Sequence, residues 1–553
     1  MMDHWYTVWF ALLAYVGSLF LFFPSRRPAR PAPARFPTVN QSRVEHATRG
    51  TFMGHLYVDH SLSIRVGNGG GTGASKYLRL LVNCFAYWRY KPDQPRDDPR
   101  YTAADVTVVI PSLDGDTDAL RDTICSVLLN DPLEIKVVTI NRNLDKAKHL
   151  AASLSKKIKV LSIDRANKRH QMCEALPEVT TPITIFADDD VYWPPTLLPW
   201  MLAPFERERV GGVGTNQRLR REKHPNVWNF LGAAYLIRRN WDCTACTYMD
   251  GGLPCLSGRT VAYRTKILQD EEFQYGFKHE TWRSGQLNAD DDNFLTRWMV
   301  NKGWDTHIQF HPKCEVQTTL EDNPKYLKQC LRWARSNWRS NWTSMFVEFS
   351  VWRRHPWSTF AVFQTTITSW SIVLDTLLTW LFWEVSATWH PEWFKWTARS
   401  LCYLWIFLGC RIVKYLEHFW RYPQDLKYIL LIPAFGYFHS CFIKLYAMLT
   451  MHVTAWGSRE GADANDNERL VLPPKYSHST DPAVKNSFNI HDHDPHDESD
   501  DGDTNSLPEY TDAGYGAASD VRDDDGQDIN IDECSALLPK YTVNQEATQE
   551  SLD

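Results

Sequence analysis

The chain predicts an α/β fold around a sheet of largely buried strands, and three observations carry that prediction. From about residue 104, short β-branched runs alternate with helical stretches, the pattern of strand–helix–strand units that build a parallel sheet. Several runs are apolar throughout, as strands covered on both faces must be. Each ends in a polar tip, and open α/β sheets bind ligands just beyond the carboxyl ends of their strands.

The elements follow in order. Val106–Pro111 reads as a first strand running into Ser112, Leu113 and Asp114. A helix over Ala119–Leu129, a strand over Ile135–Ile140 ending at Asn141, and a strand over Ile158–Ile163 come next. A helix over Ala166–Leu176 carries Lys168 and Arg169. Ile183, Ile185 and Phe186 mark the end of a further strand, and Asp188, Asp189 and Asp190 follow at once. In extended chain Asp188 and Asp190 point the same way, with Asp189 turned aside. Carboxylates this close repel unless a cation neutralises them, and hard oxygen ligands suit Mg²⁺ or Mn²⁺ shared with a substrate phosphate. A solvated acidic turn is the plain alternative for three Asp alone; the remaining parts of the chain weigh against it.

Those parts are three. Gly251–Arg264 is a Gly-, Ser- and Cys-bearing segment. Asp290, Asp291 and Asp292 open a helix, where the dipole favours acids, so capping alone accounts for them in isolation. Gln329–Arg339 is a basic, Trp-studded helix that also reads as interfacial.

Composition sets the surroundings. The 553 residues are 43% hydrophobic with 24 Trp and 26 Phe, yet mean hydropathy is −0.40, so apolar segments are averaged against polar ones. The net charge of −6 hides basic early regions and a strongly acidic end, which gives no indication of nucleic-acid binding. The 12 Cys form no regular framework and suit reduced thiols. Trp5–Phe23 has the length of a membrane helix, with Arg26, Arg27, Arg30 and Arg35 after it, which places the following chain in the cytosol. Gly67–Gly73 lacks the register of a phosphate loop and reads as linker. Phe360–Trp383, Leu401–Val413 and Tyr428–Met451 are further apolar segments, the last interrupted by Pro433, His439 and Lys444. From Gly457 the chain is too acidic and polar to bury a core, and disorder is expected. Three Pro-Tyr motifs there, ending at Tyr476, Tyr510 and Tyr541, suit the aromatic grooves of a WW-domain ubiquitin ligase.

The order of parts resembles the family 2 membrane glycosyltransferases, and most of all fungal polysaccharide synthases related to hyaluronan and cellulose synthases. The resemblance covers about residues 100–460 and rests on three ordered signatures: DxD at Asp188 and Asp190, DD before a helix at Asp291 and Asp292, and QxxRW at Gln329, Arg332 and Trp333. It implies a glycosyltransferase A-type, Rossmann-like mixed sheet over residues 101–345. A membrane helix over 1–24, a linker over 25–100, interfacial and membrane helices over 346–456 and an acidic tail over 457–553 complete the plan.

The resemblance also assigns roles. Asp114, Asn141, Lys168, Arg169 and Asp188 would hold the UDP-sugar donor, with Asn141 departing from the usual acid. Asp190, with Asp188, would bind Mn²⁺ or Mg²⁺. Asp292, beside Asp291, matches the general base. Cys255, Ser257, Gly258 and Arg264 match an acceptor segment in which Arg259 replaces a proline usual in hyaluronan synthases. Gln329 and Trp333 would hold the acceptor sugar, with Trp338 a second flat face, and Arg332 or Arg339 the leaving diphosphate. Trp456–Arg459 is similar to a gating segment at the cytosolic face.

The expected enzyme is an inverting, metal-dependent hexosyltransferase that extends a polysaccharide processively and passes it across the bilayer, contributing to a cell wall or other external glycan. A multi-pass protein of the plasma membrane with a cytosolic catalytic domain follows. Two other readings stand beside it: a non-processive lipid glycosyltransferase of the ceramide type, and an inactive membrane scaffold that recruits a ubiquitin ligase.

Overall fold

A computed structural model describes residues 77–221, 225–283, 285–368 and 370–454. The expected N-terminal membrane helix, the Gly67–Gly73 stretch, the Trp456–Arg459 segment and the acidic tail with its Pro-Tyr motifs lie outside the described residues.

The strands in chain order are β1 (Val106–Pro111), β2 (Glu134–Ile140), β3 (Ile158–Ile163), β4 (Ile183–Ala187), β5 (Val191–Tyr192), β6 (Val210–Thr215), β7 (Gln217–Leu219), β8 (Thr260–Arg264), β9 (Thr281–Trp282), β10 (Gly285–Gln286), β11 (Asp305–Gln309) and β12 (Val316–Thr318). Seven form one sheet in the order β11-β6-β8-β4-β1-β2-β3. β1 pairs in parallel with β2 and β4, β2 with β3, and β6 with β11. β8 runs antiparallel between β4 and β6, so the sheet is mixed. β5, β12 and β7 make a small second sheet beside the acidic tip of β4.

Every residue of β1, β2 and β4 is buried; β1 and β4 accordingly read as mostly apolar runs, while β2 also buries Lys136, whose ammonium pairs with Glu178 at 3.0 Å. Alternate side chains feed opposite cores: Val106, Val108 and Ile110 face one, Val109, Val138 and Phe186 the other. The helix Asp118–Leu128 is capped by Thr117, whose hydroxyl accepts from the Leu120 N–H at 3.2 Å. The helix expected over Ala166–Leu176 is shorter, Lys168–Glu174, because Asn167 caps it and Pro177 follows.

Two regions depart from expectation. Residues 77–89, placed in a linker by sequence, form a helix; just beyond it the Tyr90 hydroxyl donates to the Ile308 carbonyl at 2.7 Å. The helix Val227–Asp250, closed by Gly251 at φ 74°, was not anticipated. Its even mix of Arg, Asn, Trp and Cys blurs any single apolar stripe.

The C-terminal region is helical, but among the described residues no helix is long and apolar enough to cross a membrane. The first expected span breaks into Pro356–Phe363, a π-turn at Gln364–Thr368 and Ser371–Val385. The second is carried on Glu392–Leu404 and the π-turn Trp405–Gly409, and the third is divided at His439–Ile443. A 15-residue helix such as Ser371–Val385 reaches only about 22 Å against a hydrocarbon core of about 30 Å.

Candidate active site

The acids converge through sheet topology. β4 delivers Asp188 to the edge of the sheet, where its N–H donates to the Arg259 carbonyl at 3.0 Å. The antiparallel register sets Ala187 opposite Thr260, so the segment Cys255–Arg259 lies directly beside the acidic tip. The helix Asp291–Asn301 brings the second acidic pair to the same place, and its capping residue Asp290 has φ 67°.

Lys168 joins the two clusters. Its ammonium lies 2.7 Å from Asp188 Oδ1 and 3.1 Å from Asp291 Oδ2. Burial alone would press the lysine pKa down, but the Asp188 and Asp291 charges outweigh it and hold it above the ordinary value. A Cβ built on Gly258 would sit 3.5 Å from both Asp291 Oδ2 and Lys168 Nζ, so glycine keeps the space over the acids open.

Asp291 and Asp292 are pushed in opposite directions. Burial raises Asp291, yet Lys168 and Arg169 more than offset it and keep the carboxyl below its usual range. Asp292 is raised, by burial first and then by the neighbouring Asp291 charge. Two adjacent carboxyls held apart in this way give one a permanent charge and the other a basicity suited to accepting a proton. Asp292 is oriented by the Asn293 N–H at 2.9 Å and the Gly258 N–H at 3.4 Å. The Cys255 thiol also donates to it, and burial followed by the Asp292 charge pushes that thiol well up.

The DxD acids have distinct surroundings. Asp189 turns inward and accepts from the Ser112 hydroxyl at 2.9 Å, while Asp190 is half-buried and accepts from Thr319 at 2.9 Å. Among the described residues no three His, Cys, Asp or Glu side chains gather as a metal cage.

One cavity of about 960 Å³ takes in Lys168, Asp188, Asp190, Cys255, Ser257, Gly258, Asp291, Asp292, Gln329, Arg332 and Trp333, and continues between the helices of residues 356–444. Arg332 lies within the influence of Asp291, Asp292 and Asp188; burial lowers its pKa while these acids oppose the fall. Trp333 stacks on Tyr235, ring centres 4.6 Å apart. Trp338, expected as a sugar platform, is 5% exposed and donates to the Lys444 carbonyl at 3.0 Å.

Other expected residues fall elsewhere. Arg169 is 1% exposed and is spent on the Phe277 and Ala289 carbonyls and on Glu280, bracing the loop before Asp290. Arg264 stands at the far end of β8, paired with Ile183 at the start of β4. Its guanidinium ties Val210, Phe205, Arg207 and Tyr101 together rather than reaching an acceptor. Asp114 and Asn141 are exposed at the tips of β1 and β2, outside the cavity lining, and Asn141 donates to Asp164. Arg339, expected as a partner of the leaving diphosphate, instead clasps Asp290 at 2.7 and 3.0 Å and donates to the Met451 and Val453 carbonyls. Sequence reasoning missed Tyr235, Thr319 and the Asp290–Arg339 pair, whose partners lie far apart in the chain.

Comparison with known proteins agrees with this geometry. The profile described as "Glycosyltransferase like family 2" matches residues 103–336. A type 2 glycosyltransferase of Zymoseptoria tritici is 50% identical over 417 residues, covering 75% of this chain and 88% of that protein. One of Gibberella zeae is 47% identical, covering 73% and 77%. A hyaluronan synthase of Streptococcus pyogenes is more distant, 24% identical over 64% of this chain and 83% of its own. Among solved structures, a mannosyltransferase of Pyrobaculum calidifontis aligns with TM-score 0.43 and 15% identity over 68% of this chain and 98% of that one, too loose to bear on chemistry. The chain belongs to the family 2 glycosyltransferases, enzymes of the hexosyltransferase kind that take a sugar from a nucleotide-sugar donor.

Proposed function

We propose that the enzyme moves a sugar from a UDP-sugar to a growing polysaccharide by a single displacement with inversion, Asp292 acting as the base. The raised, backbone-oriented Asp292 beside charge-fixed Asp291 carries this reading. Asp292 takes the proton of the acceptor hydroxyl as its oxygen bonds to the anomeric carbon. The bond from that carbon to the diphosphate breaks, and its electron pair leaves with UDP. A positioned base of this kind contributes about 10²–10⁴-fold.

Asp190 and Asp188 fit a divalent ion that the donor's diphosphate completes. Mg²⁺ and Mn²⁺ sites of this sort use one or two carboxylates plus phosphate oxygens; Asp188 and Asp190 both line the cavity, while Asp189 is taken up by the Ser112 hydroxyl. Such an ion, Mn²⁺ or Mg²⁺, supplies charge for the leaving diphosphate, assisted by Arg332. Lys168 holds Asp188 and Asp291 in register.

The cavity supports polymer over single-lipid transfer, because it runs from the acids into the helices of residues 356–444. The same helices display Ile372, Val373, Trp380, Trp383, Leu430 and Phe442 at the surface, an apolar exposure suited to a bilayer. Processive extension through a plasma-membrane protein with a cytosolic catalytic face, serving the cell wall, is the cellular role we assign. The Pro-Tyr motifs at Tyr476, Tyr510 and Tyr541 would recruit a ligase that sets its lifetime.

The test is purified full-length protein in detergent with Mn²⁺ or Mg²⁺ and a panel of UDP-sugars, reading UDP release together with product length. A ladder of polymer supports the proposal. A single glycolipid points to the ceramide-type reading, and no turnover with any donor points to the scaffold.

A further inference from the structure

Beyond the acids, the cavity wall is organised by a column of flat groups. The Arg259 guanidinium lies 5.5 Å from the centre of the Trp333 ring, Trp333 stacks on Tyr235 at 4.6 Å and 19°, and Arg238 lies 5.4 Å from the Tyr235 ring centre. Arg259 is fixed there by Gln217 at 3.0 Å and Ser257 at 3.2 Å. The column leads from the segment Cys255–Arg259 to a cluster at its far end, where, among the described residues, Asp242 is the single carboxylate for three cations: Lys414 at 3.0 Å, Arg79 at 3.4 Å and Arg238 at 3.8 Å.

All four charged groups line the same cavity as Asp292. Burial opposes ionisation of Asp242, but Lys414, Arg79 and Arg238 overcome it and hold the carboxyl below its usual range. One carboxylate stands among three cations: Lys414 and Arg79 are mostly buried, at 11% and 15% side-chain exposure, while Arg238 is 43% exposed. Burial together with the Arg79 and Arg238 charges outweighs Asp242 and presses the Lys414 ammonium down to about 8, as expected where negative charge is in short supply. Charge placed in that way calls for a counter-charge. An arrangement serving only to tie residues 77–89, Val227–Asp250 and Val413–Tyr415 together would need no surplus.

We infer that this inner chamber binds an acidic group of the acceptor glycan, so that the polymer extended by the enzyme carries negative charge. The inference rests on the polysaccharide reading above. Tyr235 and Trp333 line the cavity between the two sets of cations as an apolar wall along which a sugar chain can pack, and the cations at both ends of the column suit carboxylates or phosphates spaced along that chain. A glycan accounts for both features, whereas a lipid phosphate accounts for the cations alone.

The experiment uses the full chain in detergent with three probes: a glucuronate-containing oligosaccharide, an uncharged N-acetylglucosamine oligomer of equal length, and a prenyl phosphate. UDP release is measured against each, and equilibrium binding of each is measured separately. The acidic oligosaccharide is expected to bind best and to stimulate turnover. Arg238→Gln and Lys414→Gln should each raise its KM and Kd by about tenfold, with acceptor-free UDP release and the neutral oligomer unmoved. Lys414→Arg should restore wild-type behaviour. Equal binding of acidic and neutral oligomers, preference for prenyl phosphate, or an acidic-oligomer Kd unchanged in the Gln variants would overturn the inference. Absence of UDP release from every donor would count against the nucleotide-sugar reading, and the binding arm would still decide the inference on its own.

Discussion

Replacing Asp292 by Asn keeps its shape and removes its charge, and the structure sets two separate consequences. The first is kinetic. Without the base, sugar transfer should fall by about 10²–10⁴-fold, while binding of UDP changes little, because Lys168 engages Asp188 and Asp291 and not Asp292. The second is thermodynamic. The folded Asp292 carboxyl is raised above its unfolded value by burial and by Asp291. Its favourable contribution is therefore full below the unfolded pKa and is lost as pH rises through the folded one. The Asn variant does not bear that loss. Against this, one carboxylate oxygen that accepts from Gly258 or Asn293 becomes an NH₂, at a roughly constant cost of about 1 kcal/mol. The Tm difference, variant minus wild type, should thus increase from about pH 4 to about pH 8. Initial-rate UDP release and thermal unfolding on the same preparations test both. Transfer within about threefold of wild type, or a Tm difference that falls with pH, would refute the reasoning.

Four further outcomes follow from the same geometry. Gly258→Ala should fold normally, since the new Cβ meets only ordinary contacts at 3.5 Å, but should lower kcat/KM by occupying the space over Asp291 and Lys168; an unchanged kcat/KM would remove Gly258 from the site. Asp190→Asn should abolish the stimulation of UDP release by Mn²⁺, and a variant still stimulated like wild type would place the ion elsewhere. Arg339→Met leaves buried Asp290 without its partner and should cost about 3–5 kcal/mol in chemical unfolding. Arg264→Met should likewise destabilise the fold yet leave the acceptor KM of the surviving enzyme unchanged, and a raised acceptor KM would return Arg264 to the acceptor site.

The parts of this enzyme that were legible in its sequence are those in which a local pattern has one physical meaning. β1 and β4 are buried on both faces and read as mostly apolar, β-branched runs; β2 keeps that pattern over Ile135–Ile140 except at Lys136, and the ends of β1 and β2 fall within a residue of where the pattern stops. The acids at Asp188, Asp190, Asp291 and Asp292 were legible because like charges adjacent in sequence need a reason. Arginine was harder. Arg169, Arg264 and Arg339 sit in or beside the signature segments as Arg332 does, yet each is buried and spent on backbone carbonyls or a structural acid. A guanidinium with five donors serves either task equally well, and only the fold determines which partners surround it. The C-terminal helices show the same limit. Their composition is that of membrane spans, but π-turns at Gln364–Thr368, Trp405–Gly409 and His439–Ile443 interrupt them, and of the three only the last begins at a residue, His439, that the sequence reading marks as an interruption.

The proposed mechanism is a single displacement, with one carboxylate removing the acceptor proton and none attacking the sugar. Proton NMR of the first product formed from an α-linked UDP-sugar reads this directly, through the configuration at the transferred anomeric carbon. A β-linked product is predicted, and an α-linked product would contradict the role given to Asp292.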